Sequence, residues 1–225
     1  MFGNNKIMPP QKGDGSTLKI QEIFATFQGE GPYVGHPSIF VRLGGCNLKC
    51  DFCDTEFDSY KEISIDDIIK KVENLSRNND GKTFANLVVI TGGEPFIQPI
   101  EKLCDELIEK KFIVQIETNA TFYRPINNKV KIVCSPKISN NKYHPIREDL
   151  LKRIDAIKFI ISSSRKNYNE IADVGQSKYD IPVYLQPMDE YDDKKNSDNI
   201  KLVLNLAKKY GAIISLQTHK ILNIK

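Results

Sequence analysis

The feature that most constrains how this chain can fold is a regular alternation of short apolar runs with amphipathic stretches at helical spacing. Seven runs rich in β-branched residues are predicted as strands: residues 38–42, 87–91, 113–117, 130–134, 156–161, 182–186 and 212–216. Four amphipathic stretches are predicted as helices: residues 65–75, 99–110, 165–174 and 197–210. The alternation predicts an α/β fold with parallel strands and outer helices, either an open sheet or a partial (β/α) barrel.

Length and local composition predict a single domain. A chain of 225 residues can bury a substantial core but is short for two full domains. Residues 1–17 are polar and rich in Gly and Pro, so we predict a poorly ordered N-terminal arm, followed by one domain over residues 18–225. The polar tract 189–199 is predicted as a surface loop, and Ser64 as the N-cap of the first helix.

Charge and hydropathy argue against several classes of partner. The chain has 32 Lys and Arg against 29 Asp and Glu, without a long basic run, so we expect no nucleic-acid partner. No apolar stretch has the length of a signal peptide core or a membrane span, so we expect a cytoplasmic protein with no membrane partner. The five cysteines should then stay reduced, and clustered ones are expected to bind a metal or to react.

Unusual loops follow five of the predicted strands. In parallel α/β folds, ligands bind at the carboxyl ends of the strands. The segments found at those ends are GGCNLKCDFCDT, TGGEP, ETN, CSPK and QPMD. Because these five segments should share one rim of the sheet, we predict that the functional site lies there.

The first of these loops carries three thiols, at Cys46, Cys50 and Cys53, so a single loop can surround one inorganic group. Thiolates favour soft metals, and iron–sulfur clusters are held mostly by them. A structural zinc site or a structural cluster normally has four protein ligands. Three ligands therefore suggest a [4Fe–4S] cluster with one iron left open for a small molecule. The alternative is a zinc site completed by Cys104, Cys134 or a histidine.

These motifs resemble the radical SAM superfamily. The shared features are CxxxCxxC on the loop after the first parallel strand and GGEP after the second. The resemblance implies that the open iron binds S-adenosylmethionine (SAM), whose reductive cleavage releases the 5′-deoxyadenosyl radical. It also implies a compact form of the partial barrel of that superfamily.

A narrower resemblance, to the 7-carboxy-7-deazaguanine synthase family, covers the chain from about residue 20 to residue 225. It rests on TFQGEGPYVGHPSIFVRLGGCNLKCDFCDT together with ITGGEP, ETN, SPK, QPMD and LQTHK. It implies a carbon–nitrogen lyase that converts 6-carboxy-5,6,7,8-tetrahydropterin to 7-carboxy-7-deazaguanine with loss of ammonia, in queuosine and 7-deazapurine biosynthesis. It also implies Mg²⁺, an external electron donor of the flavodoxin or ferredoxin type, and a homodimer.

The same resemblance assigns roles to the matching residues, with the radical chemistry carried by the cluster and SAM. The cluster ligands are Cys46, Cys50 and Cys53, and the Mg²⁺ ligand is Thr55. Contacts with SAM are implied for Phe52, Cys53, Asp54, Gly93, Glu117, Asn119, Ser135, Pro136, Lys137, Gln186, Pro187, Met188 and Asp189. Contacts with the pterin are implied for Phe27, Gln28, Gly29, Glu30, Arg42, Thr91, His219 and Lys225, the last through a terminal carboxylate.

Simpler alternatives exist for some roles and for the function itself. Glu30 is also compatible with a solvated loop acid, Arg42 with an ion pair at a strand end, and Thr55 with a loop hydrogen bond. A glycyl-radical-enzyme activase shares CxxxCxxC, but it acts on a protein and does not account for FQGEG and QTHK. An iron–sulfur electron carrier or binding module would need a four-ligand site and no SAM loops.

Overall fold

The computed structural model describes residues 5–139 and 142–225. The strands within these ranges are β1 Thr17–Phe27, β2 Pro37–Leu43, β3 Lys61–Ser64, β4 Leu87–Gly92, β5 Ile113–Thr118, β6 Lys131–Cys134, β7 Ile138–Ser139, β8 Lys142–Tyr143, β9 Ala156–Ile161, β10 Val183–Pro187 and β11 Ile213–Ile214. The α-helices are α1 Ile65–Leu75, α2 Glu101–Glu109, α3 Glu148–Leu151, α4 Asp193–Tyr210 and α5 Thr218–Ile221. Short 3₁₀ turns lie at Gly31–Tyr33, Pro95–Ile97 and Gln176–Tyr179.

In the described part of the chain, nine strands form one mixed sheet in the order β11-β10-β9-β6-β5-β4-β2-β1-β3. Seven neighbouring strands are mutually parallel, as the alternation of strands and helices predicts: β11, β10, β9, β6, β5, β4 and β2. At the other end, β1 runs antiparallel to both β2 and β3. The sheet is not closed, because β3 and β11 are its two edges. The prediction of an α/β fold with an incomplete barrel is therefore confirmed.

The two faces of the sheet have different environments. Side chains alternate between the faces along each strand. In β9, Ile157 and Phe159 belong to the hydrophobic core, whereas Lys158 and Ile160 line a cavity. Helices α1, α2 and α4 contact β1, β5 and β10 respectively, and contribute buried residues to the same core. One face of the sheet is thus covered by helices, and the other is available to a ligand.

Helix α1 has the predicted bounds. Ser64 accepts a hydrogen bond from the Asp67 N–H at 3.2 Å and so caps the first turn. Ile68 and Val72 recur at helical spacing and are fully buried. The N-cap prediction is confirmed, and burial of one face against the sheet keeps the helix in place.

Two predictions in the second half of the chain are wrong. Residues 165–174 do not form a helix, because Asn167 adopts a φ of 69° and Ser162 Oγ accepts hydrogen bonds from the Ser164 and Arg165 N–H groups. The predicted loop 189–199 contains the start of α4. Asp192 caps that helix by accepting from the Lys195 N–H at 2.9 Å, so α4 begins at Asp193, four residues before the predicted start at residue 197.

The N-terminal segment is hydrogen-bonded to the loops that follow β2 and β4. The first four residues of the predicted arm lie outside the described residues. Beyond them, the Met8 N–H donates to the Cys46 carbonyl at 2.7 Å and the Gln11 N–H to the Ile97 carbonyl at 2.6 Å. The boundary of the domain at residue 17 stays a prediction. In the described part of the chain, no helix is both long and apolar enough to cross a bilayer.

Candidate active site at the carboxyl edge of the sheet

A cavity of about 280 Å³ opens at the carboxyl ends of the parallel strands. It is lined by the cysteine loop after β2 and by the loops that follow β4, β5, β6 and β10. Every site residue predicted above lines this cavity except Pro136, which is buried behind β6, and Pro187, which ends β10. The five unusual loops therefore meet at one place, as the rule for parallel sheets predicts.

The cysteine loop is shaped by close contact between two backbones. Gly45 has a φ of 84°, a conformation that a residue with a side chain rarely adopts. The Glu94 N–H donates to the Gly45 carbonyl at 3.0 Å, and the Gly93 N–H to the Leu43 carbonyl at 3.2 Å. A Cβ at Gly93 would lie 1.8 Å from the Gly45 oxygen. The GGEP turn thus lies directly against the first residues of the cysteine loop.

The three thiols line one side of the cavity but are not arranged as ligands. Among the described residues, no three His, Cys, Asp or Glu side chains converge as they would around a metal ion. Cys46 Sγ accepts from the Leu48 N–H at 3.4 Å, and Cys53 donates to the Thr55 carbonyl at 3.3 Å. Burial raises the pKa of Cys46 to about 12, so the thiol is protonated in the absence of a metal.

The chemistry of this donor set fits a three-ligand cluster. All three thiols belong to one loop that borders a cavity large enough for a small molecule. Neither Cys104 nor Cys134 lines the cavity, and both are fully buried in the hydrophobic core. Neither of the two cysteines considered as a fourth zinc ligand is therefore at the loop.

A buried carboxylate connects the GGEP turn to the loop after β5. Glu94 accepts hydrogen bonds from Thr118 Oγ1 at 2.7 Å, from the Asn119 N–H at 2.6 Å and from the Phe96 N–H at 3.0 Å. Burial raises the pKa of Glu94 to about 7, against the opposing effect of these hydrogen bonds. Asn119 in turn donates to Asn47 Oδ1 at 3.1 Å and lies 3.9 Å from Cys46 Sγ. This network fixes the start of the cysteine loop.

The end of the cysteine loop is held by the N-terminal segment. Asn5 is 5% exposed, donates to the Thr55 carbonyl at 2.9 Å and accepts from the Phe57 N–H at 3.2 Å. Thr55 Oγ1 donates to Asp54 at 3.2 Å, and both residues border the cavity. The Thr55 carbonyl holds the loop, and its hydroxyl makes the loop hydrogen bond that the simpler alternative for Thr55 anticipates.

Lys137 lies in the SPK segment after β6 and also borders the cavity. Its ammonium donates to the Ser135 carbonyl at 2.7 Å and to Ser135 Oγ at 2.6 Å. Burial lowers the pKa of Lys137, and the positive charge of Lys158 acts in the same direction. A buried ammonium next to the thiol loop suits an anionic ligand group.

On the opposite side, the FQGEG segment and the QTHK segment pack against each other. The Thr218 N–H and Oγ1 both donate to the Gly29 carbonyl, at 3.0 and 3.1 Å. A Cβ at Gly29 would lie 2.1 Å from His219 Nδ1, so only glycine permits this approach. Gln217 donates to Glu30 at 2.8 Å. Glu30 is therefore not a solvated loop acid, since its side chain is only 14% exposed and has fixed partners.

Arg42 and Lys225 border the cavity from β2 and from the last residue of the sequence. Arg42 Nη1 forms an ion pair with Glu22 at 2.9 Å, as the simpler alternative for Arg42 anticipates, and yet the side chain also lines the cavity. The Lys225 ammonium is paired with Glu22 and lies 4.5 Å from the centre of the Phe24 ring. The Lys225 main-chain oxygen accepts from Thr26 Oγ1 at 2.6 Å.

Sequence reasoning missed three cationic residues in the cavity wall, namely Lys49, Lys158 and Lys220. Lys220 lies across the opening, 3.0 Å from Asp189 and 3.5 Å from Asp54. Lys158 lies in the middle of β9 and is 4% exposed. The signal available for Lys158 was its charge within an apolar strand. Its side chain belongs to the face opposite to that of the core residues Ile157 and Phe159. Lys220 had no comparable signal beyond its place in QTHK.

Comparisons with known proteins agree with this geometry. A sequence model of the radical SAM superfamily matches residues 40–132, which include the cysteine loop and GGEP. The crystal structure of QueE from Escherichia coli is similar to this fold with a TM-score of 0.71 at 26% identity, over 89% of this chain and 93% of that chain. The open parallel sheet and the three-thiol loop at its rim are thus those of a radical SAM enzyme.

Full-length relatives define the family within that class. The 7-carboxy-7-deazaguanine synthase of Rickettsia prowazekii is 55% identical, over 100% of this chain and 96% of the relative. The synthase of Rhodospirillum rubrum is 34% identical and is covered completely, as is this chain. The chain belongs to the 7-carboxy-7-deazaguanine synthase family. Membership of the radical SAM superfamily implies a [4Fe–4S] cluster and SAM, which the donor set of the cysteine loop fits.

Proposed function

We propose that this protein is a radical SAM lyase that converts 6-carboxy-5,6,7,8-tetrahydropterin to 7-carboxy-7-deazaguanine with release of ammonia, in queuosine and 7-deazapurine biosynthesis. The observation that carries the proposal is the meeting of the cysteine loop, the GGEP turn, FQGEG and QTHK around one cavity. A protein-directed activase or an electron carrier has no use for the last two segments. The full-length identity to named synthases supports the same conclusion.

One wall of the cavity has the groups needed to hold the cluster and SAM. Cys46, Cys50 and Cys53 would ligate the cluster as thiolates. When bound, the cluster and SAM supply the 5′-deoxyadenosyl radical that removes hydrogen from the substrate. Gly93 allows a ligand to approach the backbone closely, and the Lys137 ammonium is suited to a carboxylate.

The remaining predicted SAM contacts extend along the same rim. The aromatic ring of Phe52 and the segment around Asp54 border the cavity next to the thiols, where a nucleobase could pack. Further predicted contacts lie near the ends of β5 and β10 and on the loops after β5, β6 and β10: Glu117, Asn119, Ser135, Gln186, Met188 and Asp189. Pro136 and Pro187 would act only through their neighbours.

The opposite wall would bind and orient the pterin. Glu30 offers a carboxylate to the amino and N–H edge of the pyrimidinone ring, and Gln28 an amide that both donates and accepts. Arg42 would bind the substrate carboxylate. Phe27, Gly29, Thr91, His219 and Lys225 complete this wall. The role of these residues is to hold the reacting carbon close to SAM and to exclude water.

Three further elements of the proposal follow from the family resemblance. Thr55 would place Mg²⁺ at the substrate carboxylate, because Thr55 lines the cavity and Mg²⁺ accepts substrate and water oxygens as its other ligands. The electron donor would be a flavodoxin or ferredoxin, and the exposed Lys49 on the cysteine loop favours an acidic one. A homodimer would cover apolar surface such as edge strand β11, where Ile213 and Ile214 are exposed.

Anaerobic reconstitution tests the proposed function. The purified chain is loaded with iron and sulfide, reduced, and given SAM with 6-carboxy-5,6,7,8-tetrahydropterin. We expect 7-carboxy-7-deazaguanine by mass spectrometry, one ammonia per product and a dependence on Mg²⁺. Cleavage of SAM without formation of 7-carboxy-7-deazaguanine would refute the proposed substrate. Binding of zinc in place of iron would refute the radical chemistry.

A further inference from the structure

Lys158 is a buried cation that belongs to none of the motifs at the rim. Its ammonium is in contact with the Glu30 carboxylate and lies 3.7 Å from Glu117 Oε2. The side chain is 5% exposed, and those of Glu30 and Glu117 are 14% and 19% exposed. A lysine this far from water is stable only when anionic partners compensate its charge. The three side chains therefore form one ionic unit, which we call the floor triad.

The two carboxylates of the floor triad are also fixed by amide groups. Glu30 accepts from Gln217 at 2.8 Å and from Gln186 at 3.3 Å. Glu117 accepts from Gln28 at 3.0 Å and from Gln115 at 3.2 Å. All four amides donate to an Oε1 atom, so one oxygen of each carboxylate is held by amide groups and the other faces the Lys158 ammonium. Glu30, Lys158 and Glu117 nevertheless all border the cavity, where a ligand can reach them.

In the floor triad, the ammonium and the carboxylates shift each other's pKa. Burial alone would raise the pKa of Glu30, but the Lys158 charge, with hydrogen bonds from Lys158 and Gln217 and the more distant His219, holds it at about 2. Burial would lower the pKa of Lys158, and the Glu117 and Glu30 carboxylates raise it instead. Asp54 on the cysteine loop acts on Lys158 in the same sense as these carboxylates.

Lys137 also lines the cavity, and its positive charge and that of Lys158 act on each other. The floor triad thus sets two carboxylates against a single ammonium. An edge of a ligand that presents neighbouring N–H donors is attracted to this floor. An edge that presents carbonyl oxygens at the same place is repelled, because two acceptors then face each other.

We propose that Lys158 is a positioning residue that holds Glu30 and Glu117 apart and facing the cavity, so that the cavity selects a heterocycle with a 2-amino-pyrimidinone edge over one with a 2-oxo edge. The inference rests on the proposed function, since it takes a pterin as the ligand. It goes further by assigning the discrimination between the amino and oxo edges to a lysine that need not touch the ligand.

The test compares two ligands that differ at one position. They are 6-carboxypterin and 6-carboxylumazine, in which an oxygen replaces the 2-amino group. Their dissociation constants are measured by anaerobic calorimetry on the cluster-loaded protein with SAM. We expect the unmodified protein to prefer the pterin by about 100-fold, since a site built for donors leaves its acceptors unpaired against an oxo group.

Lys158→Met removes the charge and keeps a long side chain. Without the ammonium, one of two neighbouring buried carboxylates is expected to bind a proton, and the resulting carboxyl group can donate to the 2-oxo group. The preference should then fall to about 10-fold or less and rise again with pH as that carboxyl ionises. Lys158→Arg should restore most of the preference. The matched control is Lys131→Met, at the start of the neighbouring β6, whose ammonium binds Asp155 at 2.9 Å on the surface.

Iron content after anaerobic reconstitution should be unchanged in all of these variants, which separates the floor triad from damage to the cysteine loop. A folded Lys158→Met protein that keeps the full preference at every pH would overturn the inference while leaving the proposed substrate intact. If Lys158→Met does not fold, the pH dependence of the ligand preference is measured on the unmodified protein instead. A preference that changes between about pH 6 and 8 would contradict an ionised Glu30. Failure of the unmodified protein to bind 6-carboxypterin while it cleaves SAM would refute the proposed substrate and this inference together.

Discussion

Replacing Gly93 by alanine is the sharpest test of how the cysteine loop is held. A Cβ at this position would lie 1.8 Å from the Gly45 oxygen, 2.4 Å from the Gly45 carbonyl carbon and 2.9 Å from the Cys46 nitrogen. All three atoms belong to the backbone, so no side chain can turn away to make room. Gly93 does not have a positive φ, and the effect of Gly93→Ala is therefore steric rather than conformational.

The size of the effect follows from these distances. Side-chain carbons essentially never approach other atoms within 3.0 Å, so the two backbones must separate by about 1.2 Å. That displacement breaks the 3.0 Å hydrogen bond from the Glu94 N–H to the Gly45 carbonyl. Overpacking and the lost hydrogen bond together should lower the free energy of unfolding by about 2–4 kcal/mol. Because Cys46 moves with the loop, turnover should fall about 100-fold.

The measurements are urea unfolding, iron content after anaerobic reconstitution, and product formation. Gly81→Ala is the matched control, since Gly81 has a φ of 75° but open space around its Cα. It should lower the free energy of unfolding by about 1 kcal/mol through backbone strain alone and leave iron content and turnover unchanged. Full turnover with normal iron in Gly93→Ala would show that the contact between the two loops does not position the cluster ligands.

Three other predictions follow from the same site. Cys50→Ala, like alanine at either neighbouring thiol of the loop, should abolish cluster assembly by iron and sulfide analysis, whereas Cys104→Ala should not; loss of iron in the latter would contradict a three-ligand site. Thr55→Ala or added EDTA should lower pterin turnover far more than uncoupled SAM cleavage, and equal losses would point to a damaged loop instead of a lost Mg²⁺ ligand. A short extension after Lys225 should raise the pterin KM markedly while Lys225→Ala stays mild, because the predicted contact uses the terminal carboxylate; an extended protein with unchanged KM would remove that contact.

The local sequence was sufficient to predict an element where its residues mark where it begins and ends. Helix α1 was predicted to the residue, since a capping serine precedes an apolar stripe that packs on the sheet. Residues 165–174 have a helical pattern, but Asn167 and the hydrogen bonds to Ser162 stabilise a turn instead. Strand β1 was not predicted, although Leu18 and Ile20 alternate with polar neighbours as buried strand residues do.

The candidate site was predictable where its groups follow strand ends and hidden where they lie inside a strand. The loops at the carboxyl ends needed only the parallel arrangement of the sheet to bring them together. Lys158 has no motif, and its partner Glu30 is 128 positions away in the sequence. Only the fold shows that the two meet, although a lysine between Ile157 and Phe159 already indicates that one face of β9 is not part of the core.

The hydrogen bonds that complete the cavity join distant parts of the chain, and this has a consequence for the order of refolding. Gln28 and Glu117 are 89 positions apart, Glu30 and Gln217 are 187 apart, and Thr26 and Lys225 are 199 apart. Closing such long loops is entropically costly and contributes to slow folding. After dilution from urea, the far-ultraviolet circular dichroism of the central parallel strands should therefore return before pterin binding does, leaving an interval in which the sheet exists but its ligand-binding wall does not.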